Sequence, residues 1–396
     1  MSQQSSHTSA VAASTVTNST TEVTPVSTIP LVDLSLQHAE VAEEVEEGFA
    51  EVLSAGDFIG GKAVSAFEQE YADFVGARSC IGVGNGTDAI EMALRAAGVG
   101  HGDEVVVPAN TFIATAEAVV RTGARPVFVD VDDDSLLIDP AAVEAAITRR
   151  TRAVIPVDLY GQVAPFEQLP DDLADRGITV VEDGAQSQGA MRHGMPAGTF
   201  GDVGATSFYP GKNLGAYGDA GAVVTDDDRL AERVRLLGAH GSPAKYQHTQ
   251  FGFNSRLDTL QAVVLRAKLR RLREWNERRQ AAAAAYDEML AGAPEVRTPA
   301  RLPGNDHVWH LYVVRVARRD EVLARLQSEA IGAGVHYPVP VHLTPAMTDL
   351  GYAPGAFPVS EQAADEILSL PMFPGITTSQ QERVVDVLLS AVRVGD

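Results

Sequence analysis

Short apolar runs that alternate with helical patterns constrain the fold of this chain more than any other feature. Between residues 60 and 250, runs such as "DEVVVPA", "RPVFVDV" and "RAVIPVDLYG" are each followed by a segment with helical periodicity. Apolar β-rich runs that are bounded by Gly, Pro and Asp and separated by helices are typical of βαβ units around a buried, mainly parallel sheet. The pattern therefore predicts an α/β fold.

The domain organisation follows from where this alternation begins and stops. The first 28 residues are rich in Ser and Thr and lack the basic start and apolar stretch of a signal peptide, so residues 1–28 are predicted to be a disordered tail. A large domain is predicted over 29–255. Helical periodicity without Pro or Gly then predicts one long connecting helix over 256–290, and renewed alternation predicts a smaller α/β domain over 291–396.

Charge and cysteine content exclude several classes of function. The chain of 396 residues has 53 acidic and 31 basic side chains and a formal charge of −22, which argues against nucleic acid or an anionic membrane as a partner. The single cysteine, Cys80, can neither close an intramolecular disulfide nor hold an iron–sulfur cluster. No apolar run is long enough to span a membrane, and the histidines show no metal-ligand spacing. We therefore expect a cytoplasmic protein without a metal site.

The first candidate site lies in "GVGNGTDAIEMAL", where Gly84, Gly86 and Thr87 separate a strand from a helix. The free N–H groups and the dipole of a helix N-terminus favour a phosphate, so the segment indicates a cup for a single phosphate. A dinucleotide fingerprint is an alternative, but it needs a third glycine where Thr87 stands. A plain strand-to-helix turn is the other alternative.

The second candidate site is the end of the apolar strand in "ITVVEDGAQSQGA", which carries Glu182 and Asp183. A carboxylate buried there needs a hydrogen-bond or cationic partner, because desolvation would otherwise raise its pKa. A helix N-cap or an ion pair with an arginine would satisfy the same requirement. The position therefore indicates a carboxylate that serves a bound cation, with a structural role as the alternative.

The third candidate site is Lys212 in "SFYPGKNLGAYGDAGAVVT", five residues after Ser207. The chain has only four lysines, and an ammonium can lose its proton and attack a carbonyl, whereas a guanidinium stays protonated. A solvated turn lysine is the alternative. Taken together, a phosphate cup, a buried carboxylate and a reactive lysine suggest pyridoxal 5′-phosphate, which offers a phosphate, a ring nitrogen and an aldehyde.

The order of these motifs resembles that of the nucleotide-sugar aminotransferases, which are pyridoxal-phosphate enzymes with the aspartate-aminotransferase fold (fold type I). The resemblance runs from "IPLVDL" at residue 29 to the C-terminus. It implies a large, mostly parallel mixed-sheet domain and a smaller C-terminal α/β domain. The matching motifs are "GNGTDAIEMAL", "DEVVVPANTFIATAEAV", "VVEDGAQSQGA", "TSFYPGKNLGAYGDAGAVVT", "GFNSRLDTLQAVV" and "GVHYPVPVHL".

The resemblance assigns roles to residues that match these motifs. It implies that Lys212 is the Schiff-base lysine and the proton carrier, and that Asp183 pairs with the pyridine nitrogen. Gln186 is implied to contact the ring hydroxyl, and Phe112 to stack on the ring, with core packing as the alternative for Phe112. The implied phosphate ligands are Gly86, Thr87, Ser207 and, from the neighbouring subunit of a homodimer with shared active sites, Asn254.

The resemblance also implies a substrate, a keto-sugar nucleotide, and an amino donor, L-glutamate. The loop "GAHGSPAKYQHTQFGFNSRLD" is similar to that of enzymes that aminate C-3 of thymidine-diphosphate 3-keto-6-deoxyhexoses. Candidate substrate contacts are Lys245, Tyr246, His248 and His336. Amination at C-4 and a non-catalytic regulatory homologue are alternatives. A related sugar 3-dehydratase is a third, but it lacks this lysine and uses an iron–sulfur cluster.

Two positions depart from the family pattern. Gly184 stands where many relatives have Ala, which is expected only to loosen packing. Many relatives have His at the strand end where this chain has Asp158, in "PVDLYG". A carboxyl group in place of an imidazole would alter substrate contacts if the side chain faced the site. The expectation from the sequence is therefore a change in how this enzyme holds its substrate.

Overall fold

The computed structural model describes residues 28–393. The predicted tail, residues 1–28, lies outside the described residues except for residue 28. The α-helices are α1 (Leu34–Ala39), α2 (Ala42–Ala55), α3 (Lys62–Val75), α4 (Gly86–Ala96), α5 (Ile113–Thr122), α6 (Pro140–Ala146), α7 (Asp228–Gly238), α8 (Thr259–Leu269), α9 (Leu272–Leu290), α10 (Arg319–Ser328), α11 (Pro358–Glu366) and α12 (Thr378–Arg393). The strands are β1 (Ser79–Val83), β2 (Glu104–Pro108), β3 (Arg125–Val129), β4 (Thr151–Val154), β5 (Thr179–Asp183), β6 (Met191–Arg192), β7 (Met195–Pro196), β8 (Val203–Ser207), β9 (Gly221–Thr225), β10 (Val296–Arg297), β11 (Asn305–Asp306), β12 (Tyr312–Val316) and β13 (Ile367–Leu370).

A seven-stranded sheet forms the centre of the molecule, in the order β1-β9-β8-β5-β4-β2-β3. Strand β9 is antiparallel to both of its neighbours, and the other adjacent pairs are parallel. The α/β fold with a large, mostly parallel sheet is therefore confirmed. Since β1 is antiparallel to β9, it runs in the same direction as β8, so six strands end at one edge of the sheet.

The central strands are mostly apolar and buried, since helices cover both faces of the sheet. All five residues of β2 and all five of β9 are buried. Helices α4, α5 and α7 pack on one face, where their apolar residues join those of β1, β2 and β8 in one core. Sheets covered on both faces expose ligand-binding loops only at their edges. The carboxyl ends of β1, β2, β5 and β8 are therefore the parts of the sheet available for chemistry.

Two small antiparallel sheets complete the fold, in the orders β10-β12-β13 and β11-β6-β7. Strands β12 and β13 share a second core with α10, α12 and the end of α9, in which Tyr286 and Tyr312 are completely buried. The beginning of α9 packs elsewhere, since Leu272 joins the core that contains α3 and α8. On this basis we propose the division into 29–255, 256–290 and 291–396 as the domain organisation.

The prediction of one long helix over 256–290 is wrong. The structure has two helices, α8 and α9, separated at Arg270 and Arg271. Both residues keep right-handed backbone angles, with φ and ψ of −64° and −23° at Arg270 and −99° and −13° at Arg271. With neither Pro nor Gly at the break, local propensity does not explain it. Helix α8 packs against α3, whereas α9 continues to the second core, so we attribute the break to packing.

Two carboxyl groups, that of Glu182 in β5 and that of Asp158, are buried next to each other. Both oxygens of Glu182 accept backbone N–H groups, from Gly198 at 2.6 Å and Phe200 at 2.8 Å. Asp158 accepts the N–H of Ala164 at 2.9 Å and is in hydrogen-bonding contact with Glu182. Burial and the neighbouring negative charge raise the pKa of Asp158 well above its ordinary value. The two backbone N–H groups stabilise the negative charge of Glu182, whereas burial and that charge favour the protonated form of Asp158, so we assign the proton to Asp158.

This proton makes stability depend on pH. The pKa of Asp158 is higher in the folded chain than in the unfolded chain, so its contribution is complete below about pH 4, the ordinary aspartate value, and is lost as the pH rises through the folded-state pKa. The amide of Asp158→Asn cannot ionise and can still donate to Glu182. We expect the free energy of unfolding of this variant, measured by denaturant titration, to increase relative to that of the native chain as the pH rises above about 5.

Glu104 offers a control of opposite sign. Burial alone would raise its pKa, but hydrogen bonds from Thr148 and Arg150 hold the pKa below its ordinary value. That contribution is present above the unfolded-state pKa and is lost as the pH falls, so Glu104→Gln should lose stability relative to the native chain as the pH rises. Parallel pH curves for the native chain and Asp158→Asn would contradict a protonated Asp158.

Candidate active site

A cavity of about 410 Å³ opens at the carboxyl ends of the central strands. Residues that follow β1, β2, β5 and β8 line it, together with residues from the segment before β12 and from the segment before α11. Eight of the twelve predicted site residues lie in its wall: Gly86, Thr87, Phe112, Asp183, Gln186, Ser207, Lys212 and His336. The structure therefore brings together residues that are up to 250 positions apart in the sequence.

Lys212 lies in the turn between β8 and β9. Its backbone N–H donates to the carbonyl of Tyr209 at 2.8 Å, which fixes the turn from which the side chain extends. The Nζ atom makes no hydrogen bond to any residue within 28–393. Burial lowers the pKa of Lys212 to about 8, and the charge of Asp183 opposes this shift. An appreciable fraction of the amine is therefore unprotonated near neutral pH, as nucleophilic attack requires.

Asp183 is the last residue of β5, and its side chain is buried in the same cavity. Its Oδ2 accepts the hydroxyl of Thr115 at 2.8 Å and its Oδ1 accepts the N–H of Ala185 at 3.2 Å. The hydroxyl of Thr115 is also 2.8 Å from that of Thr111, which must act as the donor because Thr115 donates to Asp183. Burial raises the pKa of Asp183, whereas these hydrogen bonds and the charge of Lys212 lower it.

The start of α4 meets the end of β8 at one side of the cavity. Asn85 caps the helix by accepting the N–H of Asp88 at 2.8 Å. A Cβ atom at Gly86 would come within 2.6 Å of the Cβ of Ser207, so only glycine fits this approach. Gly86, Thr87 and Ser207 therefore form a narrow cradle of backbone N–H and hydroxyl donors at a helix N-terminus, which suits a phosphate group.

The rings of Phe112 and Tyr337 lie next to each other in another part of the cavity wall. Phe112 is 51% exposed, and its ring centroid lies 5.3 Å from that of Tyr337. The alternative that Phe112 belongs to the core is therefore wrong. Gln186 accepts the N–H of Tyr160 at 2.6 Å and donates to the hydroxyl of Tyr337 at 3.2 Å, so its amide is fixed at the cavity wall.

His336 completes this wall from the C-terminal part of the chain. Its Nδ1 lies 2.8 Å from the hydroxyl of Ser369, and its carbonyl accepts the hydroxyl of Tyr160 at 2.6 Å. Burial lowers the pKa of His336 to about 4, and the charge of Lys212 adds to this effect. The imidazole is therefore neutral at physiological pH.

The other four predicted residues do not line this cavity. Asn254 is exposed and accepts a hydrogen bond from Arg256 at 2.7 Å. Lys245, Tyr246 and His248 belong to an exposed loop, in which the Lys245 Nζ lies 5.1 Å from the centre of the Tyr246 ring. Any contact that these four residues make with a bound substrate must therefore come from another copy of the chain or from movement of the loop.

The expectation that Asp158 alters substrate contacts is wrong. Asp158 is fully buried on the reverse side of β5, does not line the cavity, and accepts a hydrogen bond from the Ser187 hydroxyl at 2.9 Å. Its neighbours Val157 and Leu159 face the cavity instead. The alternation of side chains across the extended backbone at this strand end places the carboxyl group on the other side.

Three residues of the cavity wall, Thr115, His310 and Tyr337, and one residue that supports it, Tyr160, were not predicted from the sequence. Thr115 and Tyr337 lie within recognised motifs. Thr115 is one helical turn after Phe112, and Tyr337 follows His336. The spacing of Thr115 from Phe112 could have signalled a second inward-facing residue on α5. His310 and Tyr160 carried no such signal, because only the tertiary fold brings His310 into this wall and Tyr160 into contact with Gln186 and His336.

Within residues 28–393 the structure offers neither a metal centre nor a membrane-spanning helix. This part of the chain has no group of three or more His, Cys, Asp or Glu side chains able to hold a metal ion. None of its helices combines the length and the apolar composition needed to cross a bilayer. The groups that the cavity does offer are a partly unprotonated amine, a buried carboxylate, a phosphate cradle and a flat aromatic surface.

Comparison with known sequences identifies the family. The profile of the DegT/DnrJ/EryC1/StrS aminotransferase family matches residues 39–389. A dTDP-3-amino-3,4,6-trideoxy-alpha-D-glucose transaminase of Streptomyces venezuelae is 46% identical over 361 residues, which cover 91% of this chain and 95% of that protein. A protein of Geobacillus stearothermophilus named pleiotropic regulatory protein is also 46% identical, over 92% of this chain and 99% of its own length.

Solved structures agree with this assignment. DesV of S. venezuelae, crystallised in complex with a ketimine intermediate, superposes with a TM-score of 0.91 at 44% identity and covers 93% of this chain and all of its own. NtdA of Bacillus subtilis with bound cofactor PMP has a TM-score of 0.85 at 30% identity, over 94% of this chain and 87% of its own. These structures confirm the predicted aminotransferase fold. The chain belongs to the DegT/DnrJ/EryC1/StrS aminotransferase family and is a sugar aminotransferase.

Proposed function

We propose that this protein uses pyridoxal 5′-phosphate to transfer the amino group of L-glutamate to C-3 of a thymidine-diphosphate 3-keto-6-deoxyhexose, as part of deoxyaminosugar synthesis. The observation that carries the proposal is that Lys212 and Asp183 line the same cavity. The lysine has no hydrogen-bond partner within 28–393, and its pKa is lowered to about 8. The carboxylate is held by Thr115 at 2.8 Å.

The residues of the cavity fit this cofactor at each of its reactive parts. The cradle of Gly86, Thr87 and Ser207 suits the phosphate, and the half-exposed ring of Phe112 suits the flat face of the pyridine. Asp183 suits the ring nitrogen, and Lys212 suits the aldehyde. The amide of Gln186, fixed by Tyr160 and Tyr337, suits the ring hydroxyl. We propose these contacts for the bound cofactor.

When bound, pyridoxal phosphate supplies a carbonyl group that exchanges with amino groups and a ring that accepts electrons from the attached carbon. Asp183 keeps a proton on the ring nitrogen, because a buried carboxylate favours a cation beside it. Lys212 accepts and returns a proton at Nζ, for which a pKa near neutrality is best suited. Phe112, whose ring lies 5.3 Å from that of Tyr337, would exclude water from one face of the bound ring.

The choice of C-3 is supported by the loop that carries Lys245 and by the S. venezuelae relative, whose name specifies a 3-amino sugar. Amination at C-4 is the alternative. The regulatory name of the G. stearothermophilus relative does not favour a non-catalytic role here, since Lys212 and Asp183 are both present and face the same cavity.

Incubation with the 3-keto sugar nucleotide and ¹⁵N-labelled L-glutamate tests the function directly. We expect the label on C-3 of the product, detected by NMR, together with one equivalent of 2-oxoglutarate. The 4-keto isomer should be aminated poorly, and Lys212→Ala should give no product with either sugar. An amine on C-4 would refute the assignment of the carbon. Release of 2-oxoglutarate without an aminated sugar would refute the sugar substrate.

Borohydride trapping tests the role of Lys212, and the chain contains a matched control. Lys268 is also buried and its pKa is also lowered to about 8, but it lies outside the cavity, with its Nζ donating to the Gly215 carbonyl at 2.7 Å. Peptide mapping should find the reduced cofactor on Lys212 and none on Lys268. Lys212→Arg should bind the cofactor but transaminate at least about 10³-fold more slowly, since a guanidinium carries no proton between atoms near neutral pH. A label on Lys268 would contradict the assignment.

We further propose a homodimer in which Asn254, Lys245, Tyr246 and His248 act on the site of the partner subunit. A sugar nucleotide is anionic, and Lys212 is the only Lys or Arg in the wall of the cavity within 28–393. A cation such as Lys245, exposed on its loop, would supply the missing positive charge to a neighbouring site. The same arrangement would give Asn254 access to the phosphate.

Subunit complementation checks this arrangement. Inactive Lys212→Ala and Asn254→Ala chains, unfolded and reassembled together, should recover about one quarter of the native activity, because half of the dimers are mixed and each mixed dimer has one intact site. A mixture of Lys212→Ala with Lys212→Arg chains should stay inactive. Mixed dimers without recovered activity would place Asn254 in its own subunit's site or outside the reaction.

A further inference from the structure

His310 lines the cavity, and the proposed reaction assigns it no role. It lies two residues before β12, is 8% exposed, and its Nδ1 is 3.2 Å from Oδ1 of Asn213. Asn213 follows Lys212 in the turn and is 1% exposed. A buried asparagine therefore connects His310 to the segment that carries the reactive lysine.

The hydrogen bonds of Asn213 determine which nitrogen of His310 carries the proton. The Nδ2 group of Asn213 donates to the carbonyl of Val308 at 2.9 Å and to Oδ1 of Asn276 at 2.9 Å. A backbone carbonyl can only accept, so the amide cannot be flipped, and the oxygen of Asn213 must face His310. An oxygen acceptor requires an N–H donor, so Nδ1 of His310 carries the proton. Nε2 of the neutral ring is then an acceptor.

The surroundings keep this ring neutral. Burial lowers the pKa of His310 well below its ordinary value, and the positive charges of Lys212 and Arg279, together with His336, lower it further. Arg279 is also fully buried and donates to the carbonyl of Trp309 at 3.2 Å, next to the ring. No carboxylate contributes to the shift. His310 therefore stays in one tautomer over the physiological pH range.

The acceptor atom has no partner in the protein. Nε2 of His310 makes no hydrogen bond within 28–393, although the ring lines the cavity. The atom is not enclosed by protein but open to the cavity, so a group of the ligand can reach it and replace solvent as its hydrogen-bond partner. We propose that His310 is a specificity residue whose Nε2 accepts a hydrogen bond from a ring hydroxyl of the sugar substrate.

This inference rests on the proposed function, since it requires a sugar in the cavity.

The tautomer of His310 also determines which ligand groups cannot bind next to Nε2. A carboxylate or carbonyl oxygen would face the lone pair of Nε2 and be repelled, whereas a hydroxyl can donate to it. The carboxylate groups of the amino donor must therefore lie elsewhere in the site. His310 would distinguish sugars that carry the hydroxyl from deoxy analogues that lack it.

Two substitutions separate this role from a structural one. Asn in place of His310 has an amide group where Nδ1 lies, so His310→Asn keeps the contact with Asn213 and removes the acceptor at Nε2. Gln reaches the position of Nε2, so His310→Gln keeps an acceptor there and loses the contact with Asn213. A structural role predicts that Asn restores the native properties, and a specificity role predicts that Gln restores them.

The measurement is calorimetric binding of dTDP-3-amino-3,6-dideoxy-α-D-galactose, with dTDP as the reference ligand. We expect His310→Asn to bind the amino sugar nucleotide about 3- to 10-fold more weakly, the effect of one lost hydrogen bond, and to bind dTDP as the native enzyme does. His310→Gln should remain within about twofold of the native affinity for both ligands. His307→Asn is the matched control, because His307 is a buried histidine of the same segment that does not line the cavity.

Nitrogen NMR of the native chain provides a test that needs no variant. ¹⁵N-histidine labelling should show His310 protonated at Nδ1, with the Nε2 resonance shifted when the amino sugar nucleotide binds. Protonation at Nε2, or native affinity in His310→Asn with weak binding in His310→Gln, would overturn the inference. If the native enzyme transaminates and binds the probe but Nε2 does not respond, the inference fails and the proposed function stands. If the native enzyme does not bind the probe at all, the proposed function fails.

Discussion

A carboxylate and an amine that share one buried cavity are the constraint on which the rest of this structure depends. Burial raises the pKa of Asp183 and lowers that of Lys212, and the charge of each group opposes the shift of the other. Within 28–393 neither side chain forms an ion pair with the other. The cavity lies between the two side chains. The fold therefore keeps the two groups apart, and they do not form an ion pair.

Holding these groups apart requires rigid supports on both sides. Asp183 ends β5 in the middle of the sheet, with Thr115 and Thr111 arranged behind it as successive donors. The turn that carries Lys212 is fixed by side chains from α8, since Lys268 donates to the carbonyl of Gly215 at 2.7 Å and Gln261 accepts the N–H of Tyr217 at 2.8 Å. Two of the four lysines of the chain are thus involved in one turn. Lys212 is its reactive group, and Lys268 stabilises it by a hydrogen bond.

The limits of sequence reasoning appear at individual residues. Phe112 precedes an apolar helix and suits a core equally well, and only the approach of Tyr337 from a distant segment shows that its ring faces a cavity. Asp158 was expected beside the substrate, but the direction of one side chain at a strand end places it with Glu182 on the other face. The break between α8 and α9 has no local signal, because it arises from the two cores that the helices join.

The sequence by itself determined the α/β alternation, the strand ends and the identity of Lys212, Asp183, Ser207 and Gly86 as candidates, because these features depend on periodicity and on residue chemistry within short segments. Only the tertiary structure decided which strand ends meet, that Asn213 fixes the tautomer of His310, and that Lys245 and Asn254 lie away from their own cavity. The physical reason is that burial, charge and hydrogen-bond geometry at the site come from segments far apart in the chain. No local pattern encodes their distances.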